Sequence, residues 1–423
     1  MEYGRVTLIT IMNRAFWVIC GIFGLCAGLE AQEYKVLKTF SGSDGGGPYG
    51  TVLVDEGKIY GMASYQATVG NGVVFSMDLN GSNYTILHSF AHPRSATDGA
   101  NPWGDLLRLG NDLYGMTYFG GANHPTASTG VVFRMGIDGS NFTLLHKFAG
   151  GAADGANPYG SLTFENGSLY GMTYLGGVNN DGAIFRVETN GANFSLLHSF
   201  SGPSDGRLPY GDLLTVGDRF YGMTGAGGSN SGQGTLFSIG TNGTGYQVLH
   251  NFRGALGDGG LPRGSLLELD GVLYGTTTDG GSNSNRGIVF RINSDGSGYE
   301  ILHNFAGGSA DGADPFAGDL VAFGDTLYGL TQFGGTNNYG TLFELNTNGG
   351  DFAVLHSFRG GSTDGRYPYG GLEIADGVLY GMTANGGPSD LGTVFSFVIP
   401  EPGVWVALAL FGVLVALRRR RGR

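Results

Sequence analysis

The sequence predicts an all-β protein, a seven-bladed β-propeller of four-stranded blades. Three observations carry that expectation: four landmarks recur seven times each, their period is about 52 residues, and the two ends of the array are offset from one another. Composition agrees. Of 423 residues 82 are glycine and 12% are aromatic, with only 14% charged. Gly-rich turns between aromatic and β-branched runs suit short strands joined tightly. The low charge is unlike a coiled coil or helical solenoid, and the aromatic content excludes a disordered Gly/Ser linker.

Residues 1–31 read as a secretory signal peptide, expected to be helical. Arg14 precedes an apolar run from Ala15 to Leu29, and Leu29-Glu30-Ala31 places a small residue before Gln32. Met12 is an alternative start, and a retained N-terminal anchor is the alternative reading. The only two cysteines, Cys20 and Cys26, lie here, and bulky Leu25 argues against a lipoprotein site at Cys26. With this segment removed, disulfides, thiol nucleophiles and thiolate metal sites are excluded.

Residues 32–398 hold the repeats. The first landmark is a run ending in Phe, at Phe40, Phe90, Phe148, Phe200, Phe252, Phe305 and Phe358. The second is Asp-Gly with Pro four residues after the Asp, from Asp44/Pro48 to Asp364/Pro368. The third is Tyr-Gly, from Tyr60 to Tyr380, and the fourth is Gly-x-x-Phe, from Phe75 to Phe395. Each unit reads as four strands. In the second unit these are A (Gly104–Leu109), B (Asp112–Tyr118), C (Val131–Ile137) and D (Phe142–Phe148). Gly110-Asn111 and Asp138-Gly139 supply the A–B and C–D hairpin turns.

The offset argues for closure. The array begins with a lone D strand, Tyr34–Phe40, and its last unit has A, B and C but no D. The first strand can therefore complete the last blade and remove two open edges. A β-solenoid, the alternative, has no use for that offset and wants capping repeats. The Leu-Tyr-Gly-Met-Thr of Leu379–Thr383 and the Gly-Thr-x-Phe of Gly392–Phe395 resemble the GloVer tandem repeat of extracellular bacterial proteins. The resemblance covers residues 34–398 and implies an extracellular location but no established activity.

Residues 399–423 read as a second address. Pro400-Glu401-Pro402 is followed by an apolar run, Gly403 to Leu417, and by Arg418, Arg419, Arg420 and Arg421. Fifteen apolar residues are short for a span, which takes about 20, and the basic cluster should remain cytoplasmic. The arrangement resembles the PEP-CTERM sorting signal of Gram-negative bacteria. That resemblance implies a hydrophobic helix, membrane contact and an exosortase-type enzyme acting near Pro400–Pro402. The product would lie in the envelope, on the surface or outside the cell; an ordinary tail anchor is the alternative. Between the two addresses the chain carries a net charge of −16, which repels phosphate backbones and argues against nucleic acid.

Most chemistry-bearing residues belong to the repeat. His88, His146, His198, His250, His303 and His356 occupy equivalent positions, too far apart on a ring to share one metal, so each is expected to hydrogen-bond within its own blade. The Asp-Gly-x-x-Pro loops read as turn chemistry: Asp caps, Gly takes positive φ, and Pro fixes the entry into strand A. A calcium or sugar contact is the functional alternative. The residue after each Pro (Tyr49, Trp103, Tyr159, Tyr210, Arg263, Phe316, Tyr369) is expected to pack between blades, with sugar stacking as the alternative. His92 and His124 break the pattern and read as solvated loop residues. No P-loop, EF-hand or Gly-x-Ser-x-Gly motif appears, and no catalytic residue, metal or cofactor is expected.

Topology points to the ligand face. In an A-to-D blade the D–A and B–C loops emerge together, and function on a repeat scaffold resides in such loops. Phe119–Thr129 is the longest, and Tyr65, Tyr118, Phe119, His124, Tyr174 and Phe333 are the candidate contacts. The expectation is a binding or structural module for extracellular polysaccharide or envelope protein. The rival is a polysaccharide hydrolase or lyase, which needs loop acids such as Asp181, Asp279 and Asp390 to converge.

Overall fold

The computed structural model describes residues 33–65, 71–91, 97–121, 128–230, 232–254, 257–282, 285–316 and 318–400. The signal segment, Glu401 onward, His92 and His124 lie outside them. Seven four-stranded antiparallel sheets follow one another along the chain, and no helix occurs among the described residues. In blade 2, A is Leu107–Leu109, B is Asp112–Thr117, C is Val131–Gly136 and D is Thr143–Lys147. Blade 7 takes A, B and C from Leu372–Ala375, Val378–Thr383 and Thr393–Val398. Its D strand is Tyr34–Thr39 from the other end of the chain. The ring is closed as the offset predicts.

Two of the landmarks turn out to be partners. The Gly of Tyr-Gly lies directly across from the Phe of Gly-x-x-Phe, as in Gly61↔Phe75 and Gly115↔Phe133. A Cβ on Gly115 would sit 2.6 Å from the Phe133 ring, so the large side chain requires the missing one. The Phe rings are fully buried, and the hydrophobic clusters form between blades rather than within them. The closing joint follows the same plan: Phe40, Tyr380, Met382 and Val394 of blade 7 pack on Val52, Ile59 and Phe75 of blade 1. Ile399 is still buried against this body.

Each of the six repeat histidines also works between blades. His250 Nε2 lies 3.1 Å from Asp258, while its ring stacks at 3.9 Å on Tyr299 of the next blade. The other five repeat the pattern, ending with His356 stacked at 3.7 Å on Tyr34 across the closure. Lys38 takes the seventh place, pairing with Asp44 and lying 4.5 Å from the Tyr84 ring. The local hydrogen bond expected for these side chains is present, and an inter-blade stack is added to it.

Three details correct the sequence reading. Strand A starts later than Gly104, because Gly104–Leu106 descends along the axis beside the next blade instead of pairing in its own sheet. A Cβ on Gly104 would sit 2.2 Å from the Gly160 carbonyl oxygen. Next, the Gly after the Asp generally does not take positive φ. Gly99 lacks a side chain because a Cβ there would meet Thr117 at 2.5 Å. Positive φ falls instead on the residue before Pro, as at Asn101 (52°), Asn157 (55°) and Leu261 (52°). Last, strand pairing extends beyond the four strands into the D–A and B–C loops: Gly99–Ala100 pairs with Phe119–Gly120, and every blade has an equivalent ladder or bridge. These pairings place both loop sets on one face.

Candidate functional site at the mouth of the axis

The A strands stand around the axis, and the Pro-led segment that feeds each one rises to the loop face. The residues after Pro meet there in a closed collar. Ring centroids are 6.1 Å apart for Tyr49–Trp103, 4.6 Å for Trp103–Tyr159 and 4.8 Å for Tyr159–Tyr210. Arg263 fills the fifth place, its guanidinium 5.1 Å from the Tyr210 ring and 4.5 Å from Phe316. Phe316–Tyr369 at 5.1 Å and Tyr369–Tyr49 at 5.0 Å complete the circuit. The expected inter-blade packing is therefore real, yet the collar residues remain only half-buried. The packing reading of these residues is the one the contacts show, with each side chain keeping part of its surface exposed.

Three of the predicted contact residues brace this collar from outside. Tyr118 lies 4.0 Å from the Trp103 ring. Tyr65 Oη is 3.1 Å from Tyr49 Oη, and Tyr174 Oη accepts from Tyr210 at 3.4 Å. Gln332, which the sequence reading passed over, holds the same place in blade 6 and donates to Tyr369 Oη at 2.7 Å. Phe119 and Phe333 lie further out in the loop ladders; Phe119 packs edge-on to Tyr118, and Phe333 meets Tyr367. Burial raises the Tyr49, Tyr159 and Tyr210 hydroxyls well above the ordinary phenol range, so they are neutral donors and acceptors at any ordinary pH.

One layer deeper, the residues two positions after the collar (three in blade 6, where Ala317 is an extra residue) form a hydrogen-bonded ring. In blade order they are Thr51, Asp105, Ser161, Asp212, Ser265, Asp319 and Gly371. Each side chain accepts from the backbone amide of the preceding blade. Asp105 N donates to Ser161 Oγ at 2.7 Å, Ser161 N to Asp212 at 2.5 Å, Asp212 N to Ser265 Oγ at 3.0 Å and Ser265 N to Asp319 at 2.6 Å. Thr51 N donates to Asp105, and Gly371 N to Thr51 Oγ1 at 3.0 Å. The circle is open only beside Gly371, which has no side chain to offer Asp319. Most collar and ring residues together line a small recess of about 40 Å³.

The alternation of hydroxyl and carboxylate brings Asp105, Asp212 and Asp319 together, each offering an oxygen within 4.8 Å of the others. That spacing could hold a cation or share protons. Burial, reinforced by the neighbouring carboxylates, pushes Asp105 well up; burial raises Asp212 and pushes Asp319 up to about 7. Glu373, further down the axis, is pushed up to about 7 by burial. The sequence reading missed this triad, although the residue after the first Gly beyond each collar position would have shown the alternation. The loop acids it named do not converge: Asp390 is held by Arg366, Asp181 lies on blade 3, and Asp279 lies on blade 5.

The fold and site define a seven-bladed propeller with an aromatic mouth on its loop face. The family described as the Gloeobacter/Verrucomicrobia repeat matches residues 22–232 and 219–414, and the chain belongs to it. No curated protein matches the chain. Among solved structures it is similar to a Mycobacterium tuberculosis puromycin-hydrolyzing peptidase, with a TM-score of 0.51 and 11% identity over 87% of this chain. It spans 55% of that peptidase chain. A putative 6-phosphogluconolactonase from Bacteroides uniformis gives a TM-score of 0.48 at 16% identity, covering 75% of this chain and 87% of that one. TolB from Acinetobacter baumannii gives 0.42 at 13%, covering 72% and 64%. At such identities the likeness concerns the fold alone.

Proposed function

We propose that the protein is an exported binding module whose loop-face collar seats a segment of extracellular polysaccharide. The observation that carries this is the collar itself: six partly exposed aromatic rings and Arg263 in a closed circle, rimmed by tyrosine hydroxyls and the Gln332 amide. Aromatic faces stack on the C–H faces of sugar rings, and neutral hydroxyls and amides match sugar hydroxyls. The dispersed loop acids favour binding over turnover.

The path of the chain supports display at a surface. The strand Tyr34–Thr39 begins, and Thr393–Val398 ends, on the hairpin face, where Val398 N donates to the Glu33 carbonyl at 3.2 Å. Both addresses are therefore attached opposite the collar. A C-terminal segment held in a membrane, or cut at Pro400–Pro402 by an exosortase-type enzyme, leaves the loop face turned outward. The test is retention of the purified full chain on immobilised polysaccharides, with Tyr118→Ala and Tyr65→Ala as variants. Both are expected to weaken binding by about ten-fold, corresponding to about 1–2 kcal/mol of stacking each. Retention unaffected by both would remove the collar from the account.

A further inference from the structure

Arg263 is out of place in the collar. Its counterparts in the other six blades are all aromatic, so packing alone asks for another ring. Its guanidinium lies against Tyr210 and Phe316 without a carboxylate partner among the described residues, and its Nε–H is buried with no acceptor. Nearby cations show the contrast: Arg286 lies 3.9 Å from Asp314, and Arg366 is paired with Asp390. The charge of Arg263 is felt at the Tyr159 and Tyr210 hydroxyls, where it opposes the upward push of burial. It thus lies near the hydroxyl rim, at the level where a ligand would arrive. The indole N–H of Trp103, across the collar, also lacks an acceptor among the described residues.

We infer that Arg263 makes the collar a reader of acidic polysaccharide, one whose sugar units carry uronate carboxylates. This rests on the polysaccharide reading given above and names its ligand class. A guanidinium flanked by aromatic faces keeps its planar fork free for a bidentate carboxylate contact. The adjoining rings supply the stacking surface for the sugar body. The axial carboxylates do not defeat this attraction. They sit one layer below the collar, each tied to a backbone amide, and burial shifts them toward their neutral forms.

The test compares polygalacturonate with dextran as probes, using the full chain in detergent micelles. Arg263→Tyr installs the residue that four other blades carry at this position, so the ring retains a side chain known to fit. Arg263→Lys keeps the charge and removes the fork. Wild type is expected to bind polygalacturonate at least about ten-fold more tightly than dextran. Arg263→Tyr should lose about ten- to a hundred-fold of the polygalacturonate affinity and keep that for dextran, with Arg263→Lys in between. Equal binding of both polymers by wild type, or undiminished polygalacturonate binding by Arg263→Tyr, overturns the inference. Dextran binding alone overturns it while leaving the polysaccharide reading intact; binding of neither polymer overturns both.

Discussion

At Leu208 and Leu261 the chain accepts a backbone it would not choose. Both have positive φ, 55° and 52°, a conformation that disfavours side chains with a Cβ by about 1 kcal/mol or more. Blades 2 and 3 place Asn there, and Asn101 and Asn157 donate to the preceding blade's carbonyls at Ser64 and Tyr118, at 2.9 and 3.0 Å. Leu261→Asn should therefore relieve strain and add a bond, raising unfolding free energy by about 1 kcal/mol. Urea denaturation measures this, and a loss of stability would refute it. Asp258 is the opposite case, a residue fully engaged. It accepts from His250 at 3.1 Å, Arg253 N at 3.1 Å, Gly259 N at 2.7 Å and Tyr299 Oη at 2.7 Å. Burial raises its carboxyl, but the His250 and Tyr299 bonds outweigh burial and hold it below the usual range. Asp258→Ala strands several donors and should cost about 3 kcal/mol.

The element whose role is most exposed to test is Tyr34–Thr39. Among the described residues it is the only strand supplied from the far end of the chain, and it shares the same inter-blade cluster and aromatic stack as its six counterparts. A chain permuted so that residues 33–40 follow Ile399 through a short turn should fold with a melting temperature within a few degrees of the original. Deleting those residues should abolish cooperative melting, since Thr393–Val398 then stands as an unpaired edge and the joint between blades 7 and 1 loses Phe40. Calorimetry on both variants separates the closed ring from a solenoid, which would tolerate the deletion. This offset, and with it the blade number and strand order, was legible in the sequence because Phe, Tyr-Gly and Gly-x-x-Phe recur at fixed spacing. The start of strand A was not legible. Gly104 looks like any strand-flanking glycine, and only the Gly160 carbonyl of the next blade shows that it runs beside the axis. The loop ladders escaped notice for a similar reason: two-residue pairings such as Gly99–Ala100 with Phe119–Gly120 leave no alternation to read.

For the molecule as a whole, the axis sets the pH response. Asp319 and Glu373 are raised by burial to about 7, above the values near 4 they have when unfolded. Between those limits the folded state binds more protons, so these groups favour the fold at low pH and that contribution is lost as pH rises through about 7. Their contribution should make the melting temperature fall from pH 5 to pH 8, and Asp319→Asn should flatten the fall; a steeper fall in the variant would contradict this origin. The axial carboxylates were hidden in the sequence because each is separated from the next by roughly a hundred residues. The collar was half legible: Tyr65, Tyr118 and Tyr174 followed from loop topology, but their rings converge on residues that the sequence assigned to packing. That convergence is the centre of the account, and Trp103 reports on it directly. In a full chain carrying Trp17→Phe and Trp405→Phe, Trp103 is the sole indole. Its emission, followed during titration with a polysaccharide the protein retains, should shift to shorter wavelength and saturate at the concentration that saturates binding. Saturable binding with the Trp103 emission unchanged would place the ligand elsewhere and contradict the account.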